Sequence, residues 1–240
     1  MDLAMVREVL THASYVMDQL LRGFVVVVCL LAAFQSFATI ASLPYVENLK
    51  MGSVITFIGM LAYVTFQMTS LVEELGRGEA MLYLAHGLTK RCYLASWILI
   101  LCVVPIVVFV LSIVVPIAII APSLLNNVEI PTLIAYTVLH LATFSSILFL
   151  LALSKRRGLV VALGMAMTFL LPIALSLATY YFTSLAPILG IVCPYYYYLT
   201  YETSSKLRIC PSPPSIGLAS LVLTMILIYA CFVKVKKLDV

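Results

Sequence analysis

The chain has 240 residues, 64% of them hydrophobic and 10% charged, with a formal net charge of +4 and a mean hydropathy of +1.16. Soluble domains carry about a quarter charged residues, so this composition excludes a water-soluble globular domain and specifies a membrane protein. The surplus of Lys and Arg follows a topological bias described below and requires no nucleic-acid partner.

Residues 1–22 come first. Leu3, Val6, Leu10, Ala13, Met17 and Leu20 alternate spacings of three and four, which predicts a helix with one apolar stripe and Arg7, Glu8, His12 and Asp18 on its other side. Such a helix is expected to lie along the membrane surface and enter the first span at Gly23; contact with a partner protein is the alternative. Asp2, Glu8 and Asp18 stand where a cleaved leader would have a basic start, so no signal peptide is expected.

Charged residues then divide the chain into six uncharged blocks, 23–46, 51–72, 92–128, 130–154, 158–201 and 209–233. Each reaches the ~20 apolar residues that carry a helix across a ~30 Å hydrocarbon layer. None shows the period-two alternation of a barrel strand. The expectation is a single all-α integral membrane domain over 1–240 with six transmembrane helices. Pro105, Pro116 and Pro122 place the third helix at about 93–119 with an irregular tail, and Pro187 and Pro194 end the fifth, which starts at Gly158, near Phe182.

Orientation is read from Lys and Arg alone. With six spans both termini share a side, and Arg7, Arg22, Arg77, Lys90, Arg91, Lys155, Arg156, Arg157, Lys234, Lys236 and Lys237 fall on it. Only Lys50, Lys206 and Arg208 fall opposite. The chain is therefore expected as a multi-pass protein of the cell membrane with both termini cytoplasmic.

The longest outer segment, 183–215, is expected to dip into the outer leaflet as short helices. Its Tyr195, Tyr196, Tyr197, Tyr198 and Tyr201 suit an aromatic belt at the headgroup level. Cys193 and Cys210 lie in the oxidising compartment and are expected to pair as a disulfide. Cys29, Cys92, Cys102 and Cys231 have no metal-ligand spacing and read as apolar fillers.

No Asp, Glu, Lys or Arg falls within the expected spans, so an intramembrane ion or proton relay is not expected. No filter-like "TVGYG" and no P-loop "GxxxxGK[ST]" occurs. No catalytic residues and no metal site are identified. His140 is the lone intramembrane histidine, expected to hydrogen-bond a neighbouring helix, with a haem ligand as the remoter alternative. Uncharged polar groups, Gln35, Thr39, Gln67, Thr69, Thr179 and Tyr180 with Ser36, Thr65, Ser176 and Tyr181, satisfy themselves on neighbours one by one. As a set they would line a path for an uncharged or amphipathic cargo.

One segment concentrates charge: "EELGRGEAMLYLAHGLTKR", residues 73–91. Glu73 and Glu74 close the second span, and Gly76 and Gly78 break the chain. From Glu79 a short helix is expected, with Met81, Leu84, Ala85 and Leu88 on one face and a stop at Gly87. Glu79 and His86 suit the two ends of its dipole.

This pattern resembles the membrane permease of type-2 ABC exporters. The resemblance rests on Glu74, Arg77 and Gly78, on "EAMLYLAHGLTKRCYLASW" from Glu79 to Trp97, on the amino-terminal amphipathic helix and on the basic "FVKVKKLDV" end; Glu79 departs from the Thr that many members have. It implies a coupling helix within 73–91, with Glu73, Glu74, Arg77, Gly78, Glu79, Met81, Leu82 and His86 contacting a separate ATP-binding subunit. It also implies two such subunits that hold ATP and Mg, and a second permease copy, most simply a homodimer. The expected function is translocation of a hydrophobic, amphipathic or uncharged cargo, with no cofactor in this chain. A non-transporting scaffold or assembly factor, and a haem-handling subunit built on His140, are the alternatives.

Overall fold

A computed structural model describes residues 3–20, 22–42, 46–78, 83, 89–204, 207 and 210–236. Among them every regular element is helical: α1 (Leu3–Leu20), α2 (Arg22–Ser42), α3 (Val46–Arg77), α4 (Lys90–Ile120), α5 (Glu129–Ala152), α6 (Arg157–Tyr181), α7 (Ala186–Val192), α8 (Pro194–Thr203) and α9 (Pro213–Lys236). Five of them, α3 from Ser53, α4, α5, α6 and α9, are long and apolar enough to cross a membrane. The chain is thus a multi-pass, all-helical membrane protein.

Two long helices contain a widened π turn, Leu99–Val103 in α4 and Ala166–Leu170 in α6. Each turn ends two residues before a proline, Pro105 and Pro172. Proline offers no N–H to the preceding turn and its ring crowds the carbonyl there, so local widening lets the helix continue without a break. The irregular tail expected after α4 is a 3-10 turn, Pro122–Asn126.

The inner helices are α3 and α5, with 61% of an apolar 18-residue stretch of each buried, against 33% for α4, 28% for α6 and 22% for α9. On this pair pack α2, which also lies along the later half of α4, and then α6 and α9. Where apolar side chains face lipid there is no hydrophobic drive between helices, so close approach does the holding. Gly59 of α3 is one such place: a Cβ there would meet Leu31 Cδ2 of α2 at 2.6 Å. Gly164 of α6 is another, with Thr65 of α3 filling the space its missing side chain leaves.

The helix ends are tied by polar contacts on two faces. On one, Arg157 Nη1 at the start of α6 pairs with Glu73 of α3 at 2.5 Å. On that face too, Lys234 of α9 donates to Leu150 O and Ser154 Oγ at 3.1 and 2.6 Å, capping the open carbonyl end of α5. On the opposite face Lys50 of α3 pairs with Glu202 of α8 and Glu129 of α5 at 2.5 and 3.2 Å.

The 183–215 segment departs from expectation at its tyrosines and its two cysteines. Its two short helices, α7 and α8, are present, but Tyr195, Tyr196, Tyr197 and Tyr198 are buried and form no belt. Because α8 folds back onto α3 and α5, the hydroxyls of Tyr195 and Tyr197 find interior partners, while that of Tyr196 is buried without one among the described residues. Ser53 Oγ donates to Lys50 O, so the Tyr195 hydroxyl, 2.8 Å away, is the donor to Ser53. Tyr197 donates to Pro211 O at 2.7 Å. Tyr198 stacks on Tyr136 of α5 at 4.8 Å, with Lys50 Nζ 5.8 Å from its ring centroid. Cys193 and Cys210 are free thiols here, turned toward Leu189 O at 2.9 Å and Thr183 O at 3.4 Å.

Candidate functional site

The charged segment begins as the last turns of α3. Contrary to the sequence reading, Gly76 does not break the chain: the helix runs on to Arg77 and ends at Gly78, whose φ of +73° is the left-handed cap that glycine adopts without strain. Glu73 lies 3.9 Å from Arg77 one turn later and also holds Arg157. Glu79, Met81, Leu82 and His86, and with them the expected short helix, lie outside the described residues. Tyr83 is described, and its ring meets His12 edge-on at 4.8 Å and Tyr15 at 5.8 Å, so this part of the segment touches α1.

Glu74 is the second departure. It is 2% exposed, although the sequence reading put every acid outside the spans. Its carboxylate lies beside the Tyr93 hydroxyl of α4, which also neighbours Trp97. Burying a carboxylate is costly unless polar groups surround it, and Tyr93 supplies one from the helix that follows the charged segment. Thr89 starts that helix, its side chain accepting from Cys92 N at 3.2 Å.

α1 closes the cluster. The apolar stripe expected to face the membrane is only partly buried, with Leu10 55% exposed and Ala13 buried. His12, expected on the polar side, is instead buried, with Nδ1 2.6 Å from Ser96 Oγ of α4. Ser96 donates to Tyr93 O, so the contact is satisfied when His12 carries its proton on Nδ1. Burial holds the imidazole well below its ordinary value, at about 4, and it is neutral near pH 7. Glu8 accepts from the Cys92 thiol at 3.5 Å on the same side. Four elements therefore meet within one cluster: α1, the end of α3, Tyr83 and the first turns of α4. Tyr93, Ser96 and Trp97 lie in the run "CYLASW" that the sequence reading quoted for the resemblance, but none of the three was given a role of its own.

The candidate path residues are bonded mostly within their own helices. Gln35 and Thr39 are buried on α2, Gln35 Nε2 3.4 Å from Thr39 Oγ1. Gln67 and Thr69 are buried on α3 nearer its Arg77 end, Thr69 bonding Phe66 O. Thr179 is buried near the far end of α6 and bonds Leu175 O at 2.8 Å, whereas Tyr180 beside it is 63% exposed. They are distributed over three helices, α2, α3 and α6.

His140 is fully buried in α5, and its ring packs edge-on against Phe57 at 4.9 Å and Tyr196 at 5.5 Å. Neither ring nitrogen has a hydrogen-bond partner among the described residues. Among the described residues the expected bond to a neighbouring helix is thus replaced by aromatic packing. Among the described residues no group of three or more His, Cys, Asp or Glu could hold a metal ion.

Comparison of the chain with protein-family models, curated proteins and solved structures finds no match. Function has to follow from the chain's own chemistry: apolar helices between two polar faces, one of which gathers a buried carboxylate, a neutral histidine and an ion pair at the exit and re-entry points of a single loop.

Proposed function

We propose that this chain is the membrane-spanning translocation subunit of an ATP-driven exporter of the type-2 ABC kind. In this reading α2 is a sixth span, α1 lies at the cytoplasmic membrane surface, and both termini face the cytoplasm of a cell whose plasma membrane holds the protein. A second copy of the chain completes the path, and two separate ATP-binding subunits bind ATP and Mg. Cargo is hydrophobic, amphipathic or uncharged, in keeping with spans that carry charge only at their ends.

The observation that carries the reading is the cluster at the ends of the 73–91 segment. Glu73 ties α3 to α6, Glu74 lies against α4, and α1 joins through His12 and Ser96. A push on this loop would reach four helices through short contacts. No relay of ionisable groups offers an energy source within the spans, so the reading supplies energy from outside the membrane.

The test is co-purification from native membranes followed by mass spectrometry. An ATP-binding polypeptide retained by the wild-type chain and lost with Glu74→Ala or Arg77→Ala is expected. A chain purified without any such polypeptide, at full occupancy of its native complex, would favour the scaffold reading instead.

A further inference from the structure

The turn between α5 and α6 carries three cations in succession, Lys155, Arg156 and Arg157. It joins the ends of two helices long and apolar enough to cross a membrane, the level at which side chains meet lipid headgroups. All three cations are exposed, and so are Ser154, Gly158 and Leu159 around them.

Their roles divide. Arg157 is committed to Glu73, which Arg77 also approaches, and Lys234 of α9 is committed to Leu150 O and Ser154 Oγ. Lys155 and Arg156 make no side-chain hydrogen bond or ion pair among the described residues. Like charges on consecutive residues repel, and no described carboxylate pairs with these two.

Lys155 also carries backbone strain. Its φ of +58° is the left-handed conformation, which no other non-glycine residue among those described adopts. The turn needs such a residue to leave α5, with Lys155 N closing onto Ala152 O at 2.9 Å. Glycine meets that need without the clash between Cβ and the following carbonyl. Strain of this kind points to a use for the side chain that causes it. A topological signal requires positive charge at this end of the bundle, but not at a strained position.

Space and apolar surface complete the arrangement. A Cβ on Gly158 would meet nothing within 4 Å, so the turn is open on that side. Next to it Leu159, Ala162, Phe169 and Leu170 leave an exposed apolar strip on α6. From Leu159 to Leu170 the strip runs roughly 16 Å along the helix, close to the ~15 Å depth of one leaflet's hydrocarbon. Two unpaired cations beside an apolar strip of one leaflet's depth match an amphiphile with an anionic head. A soluble anion would use the cations alone.

We propose that the Lys155–Arg156 turn and the exposed strip of α6 bind an anionic phospholipid, its phosphate held by the two cations and its tails lying along Leu159 to Leu170. The proposal does not depend on the transport reading.

The test uses the full chain in nanodiscs that mix phosphatidylcholine with phosphatidylglycerol, the retained lipids being identified by native mass spectrometry. The wild-type chain is expected to retain phosphatidylglycerol above its share in the disc. Lys155→Gln and Arg156→Gln should each lower that preference about fivefold. Lys155→Gly relieves the left-handed strain, keeps the fold should Lys155→Gln lose it, and should lower the preference equally. Lys236→Gln removes an exposed cation at the same end of the bundle, about 200° around α9 from Lys234, and should change it little. An unchanged preference in the turn variants, or an equal loss in Lys236→Gln, would overturn the proposal and leave these cations as general surface charge. So would displacement of phosphatidylglycerol by inorganic phosphate, since the occupant would then be a soluble anion.

Discussion

Glu73 at the end of α3 and Arg157 at the start of α6 are ion-paired at 2.5 Å, with side chains 36% and 63% exposed. A pair this wet contributes little, at most ~1 kcal/mol. Glu73→Gln is therefore expected to leave thermal unfolding in detergent nearly unchanged. If the proposed ATP-driven reading holds and the pair transmits force from the loop, the same variant loses substrate-stimulated ATP hydrolysis in the chain's complex with its ATP-binding subunit, and the swap Glu73→Arg with Arg157→Glu restores part of it. A large fall in melting temperature with Glu73→Gln would show the pair to be a structural tie.

His12 makes stability depend on pH. Its folded-state value of about 4 lies below the ordinary histidine range because burial disfavours the charged ring. Between roughly pH 6.5 and 4 the unfolded chain therefore binds a proton that the folded chain does not. This contribution is present above the unfolded value and is lost as pH falls through the window. Protonation should loosen α1 from α4 first, since Ser96 is the ring's described hydrogen-bond partner. Hydrogen exchange of residues 3–20 is expected to rise as pH falls from 7 to 4.5, after correction for intrinsic rates, and to rise much less in His12→Gln.

How much of this was legible in the sequence depended on which force decided each feature. The spans could be read because apolar length against bilayer thickness is a one-dimensional property, and helix ends at Arg157 and Lys236 fall where charge interrupts apolar sequence. His12 was misplaced because an apolar stripe ranks residues by hydrophobicity alone, whereas its burial depends on Ser96, 84 residues away. Gly76 looked like a breaker by local propensity, which tertiary context overrides. The tyrosines of α8 were assigned to the lipid interface because nothing local reveals that α8 folds back against Phe57 and Tyr136.

Lys50 is the cation between Glu202 and Glu129, with only 14% of its side chain exposed. Burial pulls its ammonium down, but the hydrogen bonds and charges of Glu202 and Glu129 outweigh that and raise it above the ordinary lysine value. The stabilisation is fully present below the unfolded lysine value and lost only as pH rises through the folded one, so it holds across the neutral range. Lys50→Met leaves the two carboxylates at the same place without this cation, and a loss of about 1–3 kcal/mol is expected. Hydrogen exchange in 194–203 should rise with it. Adding Glu129→Gln and Glu202→Gln to Lys50→Met should recover much of the loss, and no recovery would mean that the lysine's packing on Tyr198 matters more than its charge.

Gly164 and Thr65 offer the sharpest test of how the bundle closes. A Cβ on Gly164 would fall inside contact distance of the Thr65 side chain, whose hydroxyl is already committed to Leu61 O at 2.9 Å. Both residues are buried where α3 meets α6. Rotating the threonine away would break that bond, so the helices must separate or the side chain must strain. Overpacking of this kind costs about 1–3 kcal/mol, and against it Ala gains up to ~1 kcal/mol of helix propensity over Gly. Gly164→Ala is accordingly expected to destabilise the protein by roughly 1–2 kcal/mol net. Thr65→Ala removes the obstructing atoms, and Gly164→Ala combined with Thr65→Ala should be more stable than the sum of the single effects predicts, by about 1 kcal/mol or more in a double-mutant cycle. Thermal unfolding of the four proteins in one detergent measures the coupling. Strict additivity would mean that α3 and α6 do not approach each other closely at this position.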